Sequence, residues 1–478
     1  MGTLVGVLPG LGPPAAISLL LPMIFHLNPI SSLIMFSGIC YGANYGGSTT
    51  SILVNIPGEA ASVVTTFDGY EMAKKGRAGP ALGMAAFGSF IAGTFGVIGL
   101  MFFAPTLANF ALRFGPPEYF SLAVMSLTLI TYVSGGSIVK CLMMACVGLI
   151  ISVAGTDTIT VKSRFTFGLQ TLRDGVGLVY VAMGLFGMSE VLENLSKSVK
   201  KGEMIFNVSG TKIRDLFPNR KDWVDSAKPI ARGSLIGFFL GILPGFGAAI
   251  PTFISYAVEK KFSKHPEKFG TGIIEGVAGP ESANNAASQA TFIPLLSLGI
   301  PANPSTAVIL GALMILGLQP GPLFIGSRPD LFWGVVASMY LGNVMLVVLN
   351  LPLIGIWIQM LKIPYSILSV LIILFCQIGA YSSENNAYHV LIMNAFGVFG
   401  YLMRRYRYEG APLILALVLG PMLERALRRS LIFSDGNPAI FFSRPISAVF
   451  LSIAIVLLIS TLLTGQKIGK KAIEMKED

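Results

Sequence analysis

"GVLPGLGPPAAI" spans Gly6–Ile17, and "GILPGFGAAIPTF" spans Gly241–Phe253. The same Gly-Val/Ile-Leu-Pro-Gly-x-Gly phrase thus occurs twice, each time inside an apolar segment that it must interrupt. Proline removes a backbone donor and clashes with the preceding turn, and glycine loses the most conformational entropy on becoming helical. The residues after each phrase are also repeated, as expected of an internal structural repeat. The first copy leads to "YGANYGGSTTSILVNIPGEAASVV" (Tyr41–Val64) and the second to "GPESANNAASQATFIPLLSLGIPANPSTAVIL" (Gly279–Leu310). Each reads as a Pro-Gly break, a helix, an Asn/Gly/Ser cluster, a short apolar arm, Ile-Pro, a small polar cluster with Ser62 or Ser305, and a second arm.

The medium around these breaks is lipid. Of 478 residues, 53% are hydrophobic and 12% charged, against about a quarter charged in soluble domains. Apolar windows near the roughly 20 residues that a bilayer crossing needs recur along the chain, and they add up to about ten to twelve spans. The fold expected is an all-α integral membrane protein with two inverted repeats, each containing a broken or re-entrant helical hairpin. Ser51–Ile56 and Ala60–Thr66 are read as the two short arms of the first hairpin. Unwound backbone at membrane depth is tolerated where protein or a wet cavity satisfies its polar groups, so the breaks imply a cavity. A kinked helix is the plainer alternative for any one segment.

The net charge of +10 raises nucleic acid as a partner, but the basic residues fall in short loops between apolar windows, as the positive-inside rule requires. The loop after the first helix of copy one, "FHLNPISS", has no Lys or Arg; its counterpart in copy two carries Lys260, Lys261, Lys264 and Lys268. After the hairpins the bias reverses, with Lys74, Lys75 and Arg77 in copy one and only Arg328 in copy two. Corresponding loops on opposite sides are the mark of an inverted repeat. The basic stretch Glu190–Lys228 conflicts with this if Pro229–Val258 crosses once. The reading preferred is a turn-back at Pro244 and Gly245; a long loop exempt from the charge rule is the alternative. Copy one lacks the helix-length lead-in of copy two, so a longer native N-terminus is expected. The domain limits are 1–103 for repeat one, 104–190 for connecting helices, 191–228 for a cytoplasmic loop, 229–330 for repeat two and 331–478 for C-terminal helices and a short tail, all within one membrane transport domain.

Half-helices ending at the midplane present free N–H groups to an anion, while unwound carbonyls suit a cation. The polar candidates are Asn44, Ser48, Thr49, Thr50, Asn55 and Ser62 in copy one, and Asn284, Asn285, Ser288, Asn303, Ser305 and Thr306 in copy two. Gly46, Gly47 and Gly58 allow close backbone approach. Of these, Asn44 and Thr50, with Glu281, are the candidates for a coupling ion, sodium or proton. Glu59, Asp68 and Glu275 are the other carboxylates nearby. At any single Ser, Thr or Asn, helix–helix packing is an equal alternative. Cys40, Cys141, Cys146 and Cys376 sit singly and read as core residues. His26, His265 and His389 form no metal motif, and no Ser/His/Asp, paired-carboxylate or metal constellation points to an enzyme. A channel would need a selectivity filter or charge rings, which the sequence lacks.

These segments, together with "LERALRRSLIFSDGNPAIFFSRPIS" (Leu423–Ser447), resemble the large membrane subunit of tripartite tricarboxylate transporters, the TctA family. The resemblance implies a multi-pass secondary transporter of the prokaryotic cytoplasmic membrane that carries citrate-like or other small carboxylates on a sodium or proton gradient, with no other cofactor. It implies two partners, a small four-helix membrane subunit and a periplasmic or extracellular substrate-binding protein, and is compatible with a homodimer. The family's signature loops fall here on Gly10, Tyr45–Thr50, Asn55–Ser62 (with Pro57), Pro280–Ser288 and Gly299–Ser305 (with Pro301). Where the family commonly has Gly-Ile-Pro-Gly, this chain has Gly299-Ile300-Pro301-Ala302, with Pro304 beyond. A stand-alone symporter for another solute, such as an amino acid, is the alternative.

Overall fold

The computed structural model describes residues 1–8, 12–133, 137–157, 159–196, 213–360, 365–382 and 385–460. Gly10, the middle of the 191–228 loop and the C-terminal tail from residue 461 lie outside the described residues. The chain is 79% helical, and its described strands are the two-residue pair Gly155–Thr156 and Ser163–Arg164, so the all-α expectation holds. Four described helices are long and apolar enough to cross a membrane: Ala78–Ala111, Leu178–Ser196, Pro329–Asn350 and Gly410–Phe433. Others are apolar but shorter, among them Ile138–Ser152 and Pro304–Ile315. Windows of composition outnumber full-length helices because much of the apolar sequence is broken into shorter pieces.

The solvent pattern is that of a membrane protein, with apolar side chains outward and polar ones inward. Phe102, on Ala78–Ala111, is 66% exposed and Leu341, on Pro329–Asn350, 68% exposed, whereas Glu281, Asn284 and Ser282 are fully buried. Lipid makes this arrangement favourable: outward apolar groups meet hydrocarbon and not water, while interior polar groups find partners. Cys146 is exposed while Cys40, Cys141 and Cys376 are buried. Cys146 therefore departs from the core role expected of it, because it lies on the outward face of Ile138–Ser152.

The element order repeats. In copy one, Gly2–Val7 and Pro13–Leu20 precede the helix Pro29–Val54, a tip at Asn55–Glu59 and a returning arm. In copy two, Arg220–Gly241 and Ala249–Phe262 precede Glu275–Ala290 and Phe292–Leu298, a tip at Gly299–Asn303 and the arm Pro304–Ile315. The short first arm expected at Ser51–Ile56 is corrected here: Ser51 belongs to the 26-residue helix Pro29–Val54. Gly46 and Gly47 do not break that helix, because each missing side chain makes room for a neighbour: a Cβ on Gly46 would stand 2.2 Å from the Thr3 carbonyl of the Gly2–Val7 helix, and one on Gly47 would stand 3.1 Å from the Glu59 side chain. Copy two packs in the same way, a Cβ on Gly237 falling 2.2 Å from the Ala283 carbonyl. Small residues allow such backbone contact in place of a larger apolar seam.

The tips match residue by residue. Asn55 ends its helix in the left-handed region (φ 56°, ψ 29°), as Gly299 does (φ 71°, ψ 28°). Asparagine and glycine are the residues that adopt this conformation at least cost. Ile-Pro follows in both. An extended N-cap then starts the returning arm through a reciprocal capping box, Glu59 with Ser62 in copy one and Asn303 with Thr306 in copy two.

The chain does turn back at Pro244–Gly245. Gly245 takes φ +93°, and its N–H donates to the Ala302 carbonyl at 2.8 Å. The two flanking helices then run side by side, joined by the Arg232–Glu259 ion pair. One end of the molecule gathers the basic loops: Arg77 pairs with Asp222, and Lys75 donates to the Thr271 carbonyl. At that end the Asp68 carboxylate accepts from the N–H groups of Gly270 (2.9 Å), Gly272 (2.7 Å) and Ile273 (3.0 Å) and from the Tyr256 hydroxyl (2.9 Å). Asp68 is therefore a buried clamp between the first hairpin and the loop after Ala249–Phe262. The Ala78–Ala111 helix leads from this end to the other, a distance of about 50 Å at 1.5 Å per residue. There Arg164 pairs with Glu424 (2.7 Å), Arg428 with Asp157 (2.9 Å), and Arg444 with Glu118.

Candidate functional site

Glu281 sits less than two turns into the Glu275–Ala290 helix and is fully buried. Its partners come from copy one and from the long helix between the copies. Ser48 Oγ donates to Oε2 at 2.7 Å, Thr65 Oγ1 donates to Oε1, and Ser89 Oγ stands 3.4 Å from Oε2. Asn285 extends the network, its Nδ2 donating to Ser89 Oγ (2.7 Å) and to the Glu281 carbonyl (3.1 Å). One carboxylate of copy two is thus held by two hydroxyls of copy one. A cavity of about 10 Å³, lined by Tyr45, Ser48, Thr49, Ser89 and Asn350 among others, adjoins the network; that is room for about one water. The Tyr45 hydroxyl and Asn350 Oδ1 are buried without a hydrogen-bond partner.

The first hairpin brings a second carboxylate to the same seam. Glu59 caps the returning arm through Oε2, which accepts from the Ala61 N–H. Its Oε1 rests over Gly47, where a Cβ would be 3.2 Å away, and has no hydrogen-bond partner. Asn284 of copy two faces Glu59 but completes no hydrogen bond with either amide atom. Glu281 is near enough for its charge to act on Glu59. Buried polar atoms are ordinarily satisfied, so the unpartnered Glu59 Oε1, Asn284 amide and Tyr45 hydroxyl mark this seam as a place built for something polar.

The remaining candidates fall into two groups. Thr49 and Thr50 turn back onto their own helix, donating to the carbonyls of Tyr45 (3.4 Å) and Gly47 (2.9 Å), and Asn44 offers its carbonyl to Ser48 (2.8 Å). Such local bonds are a hydroxyl's usual resort within a helix. The Ser288 carbonyl accepts from Thr291 (2.7 Å), and Ser62 bonds within the Glu59 cap. At the tips, Asn55 is exposed, Pro57 is half-buried and Gly58 packs on Gly6 and Gly47. Pro301 and Asn303 form the second tip, and Ser305 reaches Cys40 of copy one. Thr65 and Ser89 are functional candidates that the sequence reading did not single out, and Tyr45 entered it only as the start of the Tyr45–Thr50 loop. Ser89 is one hydroxyl within "AAFGSFIAG" (Ala85–Gly93), where nothing separates it from a packing serine.

The site is thus a polar seam carrying two carboxylates, inside an apolar-coated helical shell of the kind a membrane protein presents. The comparisons agree. The model of the tripartite tricarboxylate transporter TctA family matches residues 1–415, and the chain belongs to that family, whose members are transporters. Two proteins of Agrobacterium vitis are similar. The "uncharacterized 52.8 kDa protein in TAR-I ttuC' 3'region" is 48% identical over 478 residues, which cover all of this chain and 94% of that protein. The "uncharacterized protein in TAR-II ttuC' 3'region" is 50% identical over 242 residues, 51% of this chain and 100% of that protein. No solved structure matches the chain.

Proposed function

We propose that this chain is the large membrane subunit of a binding-protein-dependent tripartite system in a prokaryotic cytoplasmic membrane. It imports a small carboxylate, a tricarboxylate such as citrate or a dicarboxylate, by cation-coupled alternating access. A small four-helix membrane subunit and a periplasmic substrate-binding protein complete the system. The two copies are inverted with respect to the membrane. In support, the loop after the first hairpin meets the Ala78 end of the Ala78–Ala111 helix, whereas Gln319–Leu323, after the second, meets the Ala111–Pro116 end.

The observation that carries the coupling is the Glu281 network. Two carboxylates, one from each copy, share one seam, and neither forms an ion pair with a basic side chain among the described residues. Like charges at close range inside a low-dielectric medium cannot both stand uncompensated, so the seam takes a proton or a monovalent cation. Ser48, Thr65, Ser89, Asn284 and Asn285 complete its oxygen- and amide-rich wall. Because Glu281 is bonded to Ser48 and Thr65 across the seam, filling the site changes how the copies hold one another, which is what coupling requires. The carboxylate substrate is excluded from this seam by its sign and uses the hairpin tips, the second above all.

The test is uptake of radiolabelled citrate and of a dicarboxylate panel into proteoliposomes, with the binding protein present and a sodium or proton gradient imposed. Gradient-driven uptake by wild type and a loss of about 100-fold in Glu281→Gln, which keeps the volume but not the charge, are expected. Uptake indifferent to every gradient, or unchanged in Glu281→Gln, would sink the coupling reading.

A further inference from the structure

Where a carboxylate first docks is a separate question, and the opposite end of the molecule bears on it. The helix Gly410–Phe433 ends its last turns with Glu424-Arg425-Ala426-Leu427-Arg428-Arg429. One face of this stretch is electrically closed: Glu424 pairs with Arg164 and Arg428, and Arg428 also pairs with Asp157. That leaves two carboxylates against two guanidiniums. The other face carries Arg425 and Arg429, four residues apart and therefore adjacent on the helix. Both are exposed, neither makes an ion pair with any described residue, and the one polar bond recorded for the two is Arg425 Nε to the Pro421 carbonyl at 3.0 Å.

Arg425 and Arg429 line a cavity of about 560 Å³, within the range of small-molecule sites. Its wall runs from Tyr119 past Gln319 and Pro320 to Gly299, the left-handed hinge of the second hairpin, and among the described residues it includes no Asp or Glu. Glu118, close by, is engaged by Arg444 and by the Gly115 N–H (2.8 Å). The cavity thus presents two uncompensated guanidiniums beside the hairpin whose tip is uncharged.

We propose that this cavity is the docking site for the carboxylate substrate, with Arg425 and Arg429 each gripping a carboxylate group and Gly299 placing the second hairpin tip next to it. The planar guanidinium fork matches a carboxylate with two parallel hydrogen bonds, and two forks one helical turn apart suit a ligand with at least two carboxylate groups. The assignment rests on the carboxylate-transport reading but not on cation coupling through Glu281. A lipid phosphate offers related chemistry at a membrane boundary and is the source to be told apart.

The experiment measures binding of labelled citrate and succinate to the full chain in phosphatidylcholine nanodiscs and, in parallel, in discs containing phosphatidylglycerol. Wild type is expected to bind in both; Arg425→Gln/Arg429→Gln is expected to bind about tenfold or more weakly. Lys260→Gln/Lys264→Gln, which removes the same charge from the other end, should bind as wild type. Should the double glutamine variant not fold, Arg425→Lys/Arg429→Lys keeps the charge, loses the fork and should still bind several-fold more weakly. Unchanged binding by the arginine variants overturns the proposal, and so does absence of binding by wild type. Loss of citrate binding in phosphatidylglycerol discs, with release of that lipid from the arginine variant, would make the cavity a lipid site and overturn it too. Arginine-dependent binding alongside gradient-indifferent uptake would leave this site standing and remove the coupling reading instead.

Discussion

The two hairpin tips have one backbone and two charges. Asn55 and Gly299 make the same left-handed exit, and Glu59 and Asn303 cap the returning arms with φ of −149° and −156°. Yet the first cap is a carboxylate in a seam with Glu281, and the second is a neutral amide four residues beyond Gly299, which lines a cavity with two arginines that make no ion pair with any described residue. A helix N-terminus attracts an anion through its free N–H groups and dipole. A carboxylate cap opposes the dipole's attraction for an anion in copy one, and an amide cap adds no opposing charge in copy two. Repetition supplied two equivalent breaks, and a single side chain at equivalent places makes one tip acidic and leaves the other neutral.

The largest effect expected from disturbing this arrangement is on the framework that holds the first tip. Asp68 accepts four hydrogen bonds from the loop after Ala249–Phe262 and its Tyr256. Asp68→Ala leaves three backbone N–H groups unpaired and should lower stability by about 3 kcal/mol, read as a fall in melting temperature of the detergent-solubilised protein. Asp68→Asn retains an acceptor and should lose less. If Asp68→Ala melts like wild type, the first hairpin is held by its membrane contacts and not by this clamp.

Next in size is an exchange of sign at the tips. Asn303→Asp keeps a cap of equal quality but gives the second tip the charge of the first. At roughly 8 Å and an effective dielectric near 20 the repulsion of a carboxylate is about 2 kcal/mol, so citrate uptake at low concentration should fall about 30-fold with melting temperature unchanged. Uptake at the wild-type level would mean that the substrate does not approach the second tip, and the two hairpins would no longer differ in function.

Some of this was legible in the sequence, and the reason differs from residue to residue. The Pro244–Gly245 turn-back and the two Ile-Pro tips were readable because proline and glycine act locally, through the backbone. Glu281 stood out as a charge in an uncharged run. Gly46 and Gly47 were readable as places of close approach, and Gly46 does meet the Gly2–Val7 helix; what was not readable is that the helix runs on through them to Val54, because the same glycine that loosens a helix in isolation lets two helices touch. Thr65 and Ser89 were silent because their role is set by the carboxylate they meet, which is 216 and 192 residues away in the chain. Arg425 and Arg429 were part of a recognised stretch, but a charged helix end looks alike whether its arginines are paired or free. Loop charge is the ground for inverting the copies, and Lys75, in one of the basic loops it assigns to one side, does reach the Thr271 carbonyl, just past the other at Lys260–Lys268.

The smallest effect sharpens the comparison between the closed and open faces of Gly410–Phe433. Hydrogen bonds from the Thr160 hydroxyl and the Ile159 N–H, together with the Arg428 guanidinium, hold the Asp157 carboxyl well below the usual aspartate range. A carboxyl whose affinity for protons is lower in the folded state stabilises that state above the ordinary value of about 4 and loses the contribution as the pH falls through and below it. Wild type should therefore show a modest drop in melting temperature between pH 5 and pH 3, while Asp157→Asn should show a smaller one from a lower starting point. The substitution also leaves Arg428 with Glu424 alone, and Glu424 is shared with Arg164. If the direction in which Arg428 projects, and not its pairing, is what keeps it from competing for the substrate, citrate binding in Asp157→Asn should stay dependent on Arg425 and Arg429 at pH 7, because Arg428 does not line the cavity. Binding that becomes insensitive to Arg425→Gln/Arg429→Gln in the Asp157→Asn background would show that pairing, and not the direction in which each arginine projects from the helix, decides which of them meets an anion.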